Sequence, residues 1–92
     1  MNSFGEYLRS RREQLGLPLR KVAAELDIDT SILSKIERNE RVATKEMLSI
    51  LSRTLDIPKK ELQIEFIRST ILSELGDLEF LTDGLKNVLK KL

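Results

Sequence analysis

The stretch "DIDTSILSKIERNE", Asp27 to Glu40, decides how this chain is read. If Asp29 caps a helix, Ile28, Leu33 and Ile36 fall at the spacing that points one apolar stripe inward. Ser31, Ser34, Lys35 and Arg38 then point away from that stripe. A solvated surface is the ordinary account of such a face. Small hydroxyls interleaved with cations along one side of a single short helix call for a second account, and the flanking residues supply it.

Upstream, "PLRKVAAELD" reads as a helix that starts near Pro18, tolerated in a first turn, and runs to about Leu26 with Val22, Ala23 and Leu26 inward. Asp27 makes the turn between the two helices. A helix-turn-helix needs a small residue where the helices approach, a turn residue that accepts positive φ, a cap, and apolar anchors on both helices. Ala23, Asp27, Asp29, and Val22 with Leu33 and Ile36 fill those places in register.

Further out, Ser3-Phe4-Gly5-Glu6 fits a capping box that opens a first helix, with Phe4, Leu8 and Leu15 marking its inner face and Gly16 ending it. Thr44 is placed to cap a fourth helix carrying Met47, Leu48, Leu51 and Leu55. Pro58 starts a fifth helix that continues through Leu62, Ile64, Ile67 and Ile71 to Leu75, where Gly76 stops it. Asp77 is the expected cap of a last helix reaching Leu92. No stretch suggests a strand, a repeat or a linker.

Composition narrows the function classes. The 92 residues, 40% hydrophobic, make one small domain whose core is marginal, so a second subunit would help to stabilise it. Cysteine and histidine are both absent, which removes disulfides, the usual zinc sites, thiol catalysis and histidine acid/base chemistry. No metal or cofactor site and no catalytic residue is expected. Carboxylates such as Glu25, Asp27 and Asp29 have no partner group that would make an enzyme of them. Neither a signal-peptide core nor a run of membrane-spanning length occurs, so a cytoplasmic protein without membrane contact is the expectation. The 16 basic and 15 acidic residues nearly cancel. Arg9, Arg11, Arg12, Arg20, Lys21, Lys35, Arg38 and Arg41 nevertheless fall in the first half, where they can form a local basic surface.

Taken together, Leu8-Arg9 with Arg12, Gly16-Leu17, Val22-Ala23, Leu26, Ile28, Leu33-Ser34, Ile36-Glu37 and Arg41 resemble the lambda-repressor/Cro-like, or XRE-type, helix-turn-helix family over roughly Phe4 to Leu62. The resemblance implies an all-α fold: a five-helix DNA-binding domain, here with an extended fifth helix and an additional C-terminal helix. It implies a transcriptional regulator that binds double-stranded DNA at an inverted repeat as a homodimer, with the helix after Asp29 in the major groove. Thr30, Ser31, Ser34 and Lys35 match the positions that reach base edges, and their chemistry agrees with that role. Lys donates to guanine, hydroxyls donate or accept, and a Thr methyl meets a thymine methyl. Arg20, Arg38 and Arg41 match backbone-contact positions, which set placement and salt dependence. Arg12 and Glu37 match a supporting pair that fixes the recognition helix.

The chain departs from the family pattern at four places. Leu19 stands where a phosphate-binding Gln is common, and Arg20 can replace that contact. Asp27 and Asn39 stand at turn positions where Gly is usual, and both residue types enter the left-handed region readily. Glu40 adds a negative charge beside the loop expected to meet phosphate, which should weaken nonspecific affinity.

Residues 1–62 are thus expected to form the DNA-binding domain, and 63–92 a helical extension packed on it as one compact unit and serving in dimerisation. Leu78, Leu81, Leu85, Val88 and Leu92 repeat at spacings of a heptad seam. With Ile64, Ile67 and Ile71 they are the candidate dimer residues, packing within one chain being the plainer alternative. Gly84 weakens that helix by about 1 kcal/mol, and Asp83-Gly84 could instead be a turn. The competing function is a helical interaction module, or an antitoxin-like protein, whose C-terminal helices bind another protein.

Overall fold

Local chemistry sets where most of the helices begin and end. The computed structural model describes residues 3–92 and contains six α-helices: α1 (Phe4–Gln14), α2 (Leu19–Glu25), α3 (Thr30–Glu37), α4 (Leu48–Thr54), α5 (Lys59–Leu75) and α6 (Leu81–Lys91). No strand occurs among the described residues, and the fold is all-α. α1 opens on its capping box. The Ser3 hydroxyl accepts from the Glu6 amide at 3.1 Å while the Glu6 carboxylate accepts from the Ser3 amide at 3.2 Å. Those two bonds hold the Glu6 carboxyl below its ordinary pKa.

The stop signals of the first four helices share one geometry. Gly16, Asp27, Asn39 and Asp56 each take a left-handed conformation, with φ of 67, 56, 66 and 51°. The amide after each of them reaches back over the last turn: Leu17 to Arg12, Ile28 to Ala23, Glu40 to Lys35 and Ile57 to Ser52, at 2.8 to 3.1 Å. This is the Schellman arrangement, which satisfies carbonyls that a helix end leaves unpaired. Glycine adopts the conformation freely, and Asp and Asn are the side chains that adopt it most readily. Asp56 ends α4 in the same way that Asp27 and Asn39 end α2 and α3. In three of the four motifs the residue after the left-handed one is apolar, and Leu17, Ile28 and Ile57 tuck against or into the core. The fourth, Glu40, is exposed.

Several expected starts are displaced. Pro18 sits just outside α2, at its N-cap; Asp29 is at the N-cap of α3, its expected place, but makes no side-chain capping bond. Thr44 does not open an α-helix; a 3-10 turn, Lys45–Met47, comes first, and α4 begins at Leu48. Such turns commonly tighten a helix start, and here Met47 packs on the core while Leu48 and Leu51 are buried. Asp77 does not cap α6. Amides of Leu78 and Leu81 bond the carbonyls of Leu75 and Leu78, so the chain turns through Phe80 before the helix forms. Asp83 and Gly84 lie inside α6, which excludes a turn there. Gly76 follows α5 with φ −63°, not left-handed.

The core draws on α1 to the start of α5. Phe4, Leu8, Val22, Ala23, Leu26, Leu33, Ile36, Ala43, Leu48, Leu51, Leu55, Ile57 and Leu62 are buried together. Leu15, expected on the inner face of α1, is exposed where that helix ends. Gly5 is buried because α1 rests its backbone on the end of α3: a Cβ there would lie 2.1 Å from the Ile36 carbonyl oxygen and 2.8 Å from that of Glu37. Arg11 ties α1 to the end of α4, its Nε donating to the Leu55 carbonyl at 2.9 Å and its Nη2 to that of Asp56 at 3.0 Å. Phe4 meets Phe66 edge-on at 5.3 Å, and the Tyr7 hydroxyl donates to Glu61 at 2.7 Å, so α1 also holds the first half of α5. Partial burial beside that carboxylate pushes the Tyr7 pKa up.

Beyond Phe66 the chain leaves the core. No residue of 67–92 is buried, and no hydrophobic residue among them packs against the core cluster. Helical periodicity puts Leu62, Phe66, Ser69 and Ser73 on one side of α5 and Ile64, Ile67, Ile71 and Leu75 on the opposite side. The inner side therefore turns from apolar to hydroxyl along its length, while the outer side stays apolar. The molecule measures 41 × 24 × 22 Å with a radius of gyration of 14.4 Å, against about 12 Å for a compact chain of this length. The second half of α5 and α6 form a projecting arm.

Candidate nucleic-acid interface

α3 has two faces. Leu33, Ile36 and Glu37 are buried, and Ile32 and the preceding Ile28 are half-buried against the core. Thr30, Ser31, Lys35 and Arg38 are exposed, and Ser34 is half-exposed between them. The 3.6-residue period places these five on one continuous outward side. Ile32 packs inward and does not join it.

A buried ion pair holds this helix in place. The Arg12 Nε donates to Glu37 Oε2 at 2.8 Å and its Nη2 to Glu37 Oε1 at 3.0 Å, while Nη1 donates to the Leu17 carbonyl at 2.8 Å. The two side chains are 13% and 6% exposed, and Glu37 is the one buried charged residue among those described. A bidentate fork with its third nitrogen also satisfied is the geometry in which a buried charge is tolerated. The bond to Glu37 raises the Arg12 pKa, outweighing burial, which acts the other way. One residue of α3 is thereby fixed at once to α1 and to the turn between α1 and α2.

The remaining cations differ in how they are engaged. Lys35, Arg20 and Arg41 are exposed and make no hydrogen bond or ion pair among the described residues. Arg38 is engaged: its Nη1 lies 3.0 Å from Glu40 Oε2, and its Nε donates to the Ser34 carbonyl at 3.3 Å. The Asn39 turn makes that contact possible by returning Glu40 beside the end of α3. Arg41 also borders a groove of about 590 Å³ between the start of α1, the loop after α3 and the second half of α5. None of Thr30, Ser31, Ser34 or Lys35 lines it.

The candidate dimer residues are divided. Ile64 and Ile67 are exposed on the outer side of α5 and Ile71 is half-buried; on the arm beyond it, Leu78 and Val88 are exposed, and Leu81 and Leu85 are half-buried. Gly5, Arg11 and the Tyr7–Glu61 pair escaped the sequence reading. Gly5 within a capping box reads as a neutral spacer, and the bonds by which Arg11 ties α1 to the end of α4 go to backbone carbonyls some 44 residues away, which leave no side-chain signature.

Among the described residues, no group of three carboxylates is gathered as a metal would require, and no helix is long and apolar enough to cross a membrane. A family model described as Helix-turn-helix, of XRE/lambda-repressor-like type, matches residues 8–62, more than half of the chain. No curated protein and no solved structure gives a match.

Proposed function

The chain belongs to the XRE/lambda-repressor-like helix-turn-helix family, a family of DNA-binding regulatory domains, and from that premise we propose that it is a cytoplasmic transcriptional regulator that binds an inverted-repeat operator as a homodimer. The observation that carries this reading is the outward side of α3, a row of hydroxyls and cations on a helix whose other side is locked by Arg12 and Glu37. Thr30, Ser31, Ser34 and Lys35 are the base-reading residues in this proposal, and Arg20, Arg38 and Arg41 the backbone contacts.

Charge distribution supports a DNA-facing end. Residues 1–60 hold twelve bases against nine acids, whereas residues 61–83 hold six acids and a single base, Arg68. Phosphate is attracted to the first segment and repelled by the second. The homodimer rests on geometry: half-sites about one helical turn apart need two recognition helices roughly 34 Å apart, and one domain of this size presents one. The uncovered apolar side of α5 and the arm beyond it are the proposed contact, through Ile64, Ile67, Ile71, Leu78, Leu81, Leu85 and Val88.

Binding-site selection from randomised duplex DNA, repeated with two variants, tests the reading. Lys35→Ala should cost about 1–3 kcal/mol on the selected site and relax one base pair, while Arg38→Ala should weaken all sequences more evenly. Selection that enriches no sequence, or variants that bind selected and random duplex as the parent does, would leave the protein-interaction reading of the arm in its place.

A further inference from the structure

The arm carries a charge pattern that a second copy of the same arm would complement in only one orientation. Around the elbow between α5 and α6 stand Glu74, Asp77, Glu79 and Asp83, all exposed, and the last nine residues carry Lys86, Lys90 and Lys91 with no acid. Nine of the eleven large apolar side chains that are exposed among the described residues also lie from Ile64 onward. So much uncovered apolar surface in so short a segment marks a contact surface. On α6 it includes Val88 and Leu89, which share a broad face with the half-buried Leu81 and Leu85 and lead to the exposed Leu92 just past the helix end.

From this we propose that the arms of two copies pair antiparallel along α6, the lysine-bearing end of each lying against the acidic elbow of the other. The proposal rests on the homodimer reading above and names the orientation of its interface. Antiparallel pairing about a two-fold axis near Gly84 brings Lys91 beside the partner's elbow; parallel pairing would set lysines against lysines and acids against acids. α6 is only about 16 Å long, so its charged ends lie within a Debye length or two of each other at physiological salt. Gly84 fits the same arrangement. It sits inside the helix at the edge of the apolar face, and a Cβ there would meet nothing within 4 Å. The protomer's own packing therefore does not require the missing side chain, whereas a crossing backbone would use the space. The dipole of α6 also favours acids before it and bases at its end, but that preference is met within one chain and is indifferent to a partner.

A charge-swapped arm separates these accounts. In the full-length variant Asp77→Lys, Glu79→Lys, Asp83→Lys, Lys86→Glu, Lys90→Glu, Lys91→Glu the net charge is unchanged. Antiparallel pairing lets this variant form homodimers and disfavours mixed dimers with the parent on the order of tenfold, as a few exposed ion pairs supply; native mass spectrometry of an equimolar mixture reads the ratio. Mixed dimers at or above the statistical proportion would overturn the proposal. If the swap impairs helix formation, the parent alone suffices: its dimer dissociation constant, measured by sedimentation equilibrium at 0.05 and 0.5 M NaCl, should rise with salt, and a constant that is flat or falls would overturn the orientation. A parent that stays monomeric to about 100 μM at both salts would overturn the homodimer reading itself, a result distinct from a dimer of the wrong orientation.

Discussion

Residues 3–62 and residues 67–92 are both helical, yet they are held by different means. In the first region α1 to α4 each end in a fully bonded stop and deliver their apolar residues to one shared core. In the second, the rest of α5 and all of α6 satisfy their own backbone but bury nothing completely. Backbone bonding alone makes a short helix marginal in water, so an uncovered apolar side leaves the arm with less to hold it than the first region has. The contrast shows that a well-formed helix and a finished structural unit are different things: the first region buries its apolar residues within one chain, and the second leaves most of its apolar side chains exposed.

The contrast can be broken most forcefully at its buried charge. Glu37→Ala leaves the Arg12 guanidinium without its partner in a site where little water reaches it, and should cost about 3–5 kcal/mol; an unchanged urea midpoint would show that the pair does not hold α3. Next comes a matched pair of truncations. Leu62→Ala, at a fully buried position, should cost about 2–5 kcal/mol, and Leu89→Ala, at a position 69% exposed, should stay within about 0.5 kcal/mol when measured below the association range. Equal losses would mean that the arm is part of the monomer core.

A chain ending at Gly76 removes most of the arm at lower cost to the fold. It should keep its thermal transition, sediment as a monomer at micromolar concentration, and bind a two-half-site duplex about tenfold or more weakly, because the second contact is no longer tethered to the first. A truncated chain that remains dimeric would move the interface to α5 or elsewhere. The smallest effect expected is at Glu40. Arg38 and Glu40 are about half-exposed, 51% and 52%, so their pair contributes little to stability. Glu40→Gln should nevertheless free Arg38 and tighten binding to random and selected duplex alike by about 0.2–1 kcal/mol, with a salt slope steeper by about one ion. Binding that weakens would show that Glu40 aids the complex.

Much of the first region was legible because its information is local. Ser3 and Glu6 announce a capping box three residues apart, and Asp27 and Asn39 are turn formers placed directly after apolar-periodic runs. The outward row on α3 follows from period alone. Other features depend on partners distant in sequence. The need for Gly5 arises from carbonyls of α3, and the anchoring of Arg11 from carbonyls after α4. Cap side chains misled where tertiary packing decided the start: Thr44 yielded to the 3-10 turn that seats Met47, and Asp77 to the turn through Phe80. The seam of α6 was readable as a stripe. Its covering was not, since a stripe specifies an apolar partner without saying which one.

The four left-handed stops also bear on how the chain folds in time. Each is written in the last turn of its own helix and the two residues that follow, so the signal for where that helix ends is local in sequence. What remains for α1 to α4 is the docking of short, pre-bounded rods joined by short connections, a search dominated by local contacts and therefore rapid. The arm has no such stop after α5, and its final ordering is second order in concentration if a second copy completes it. One chain would then carry two clocks, a fast one that dilution leaves alone and a slower one that dilution stops.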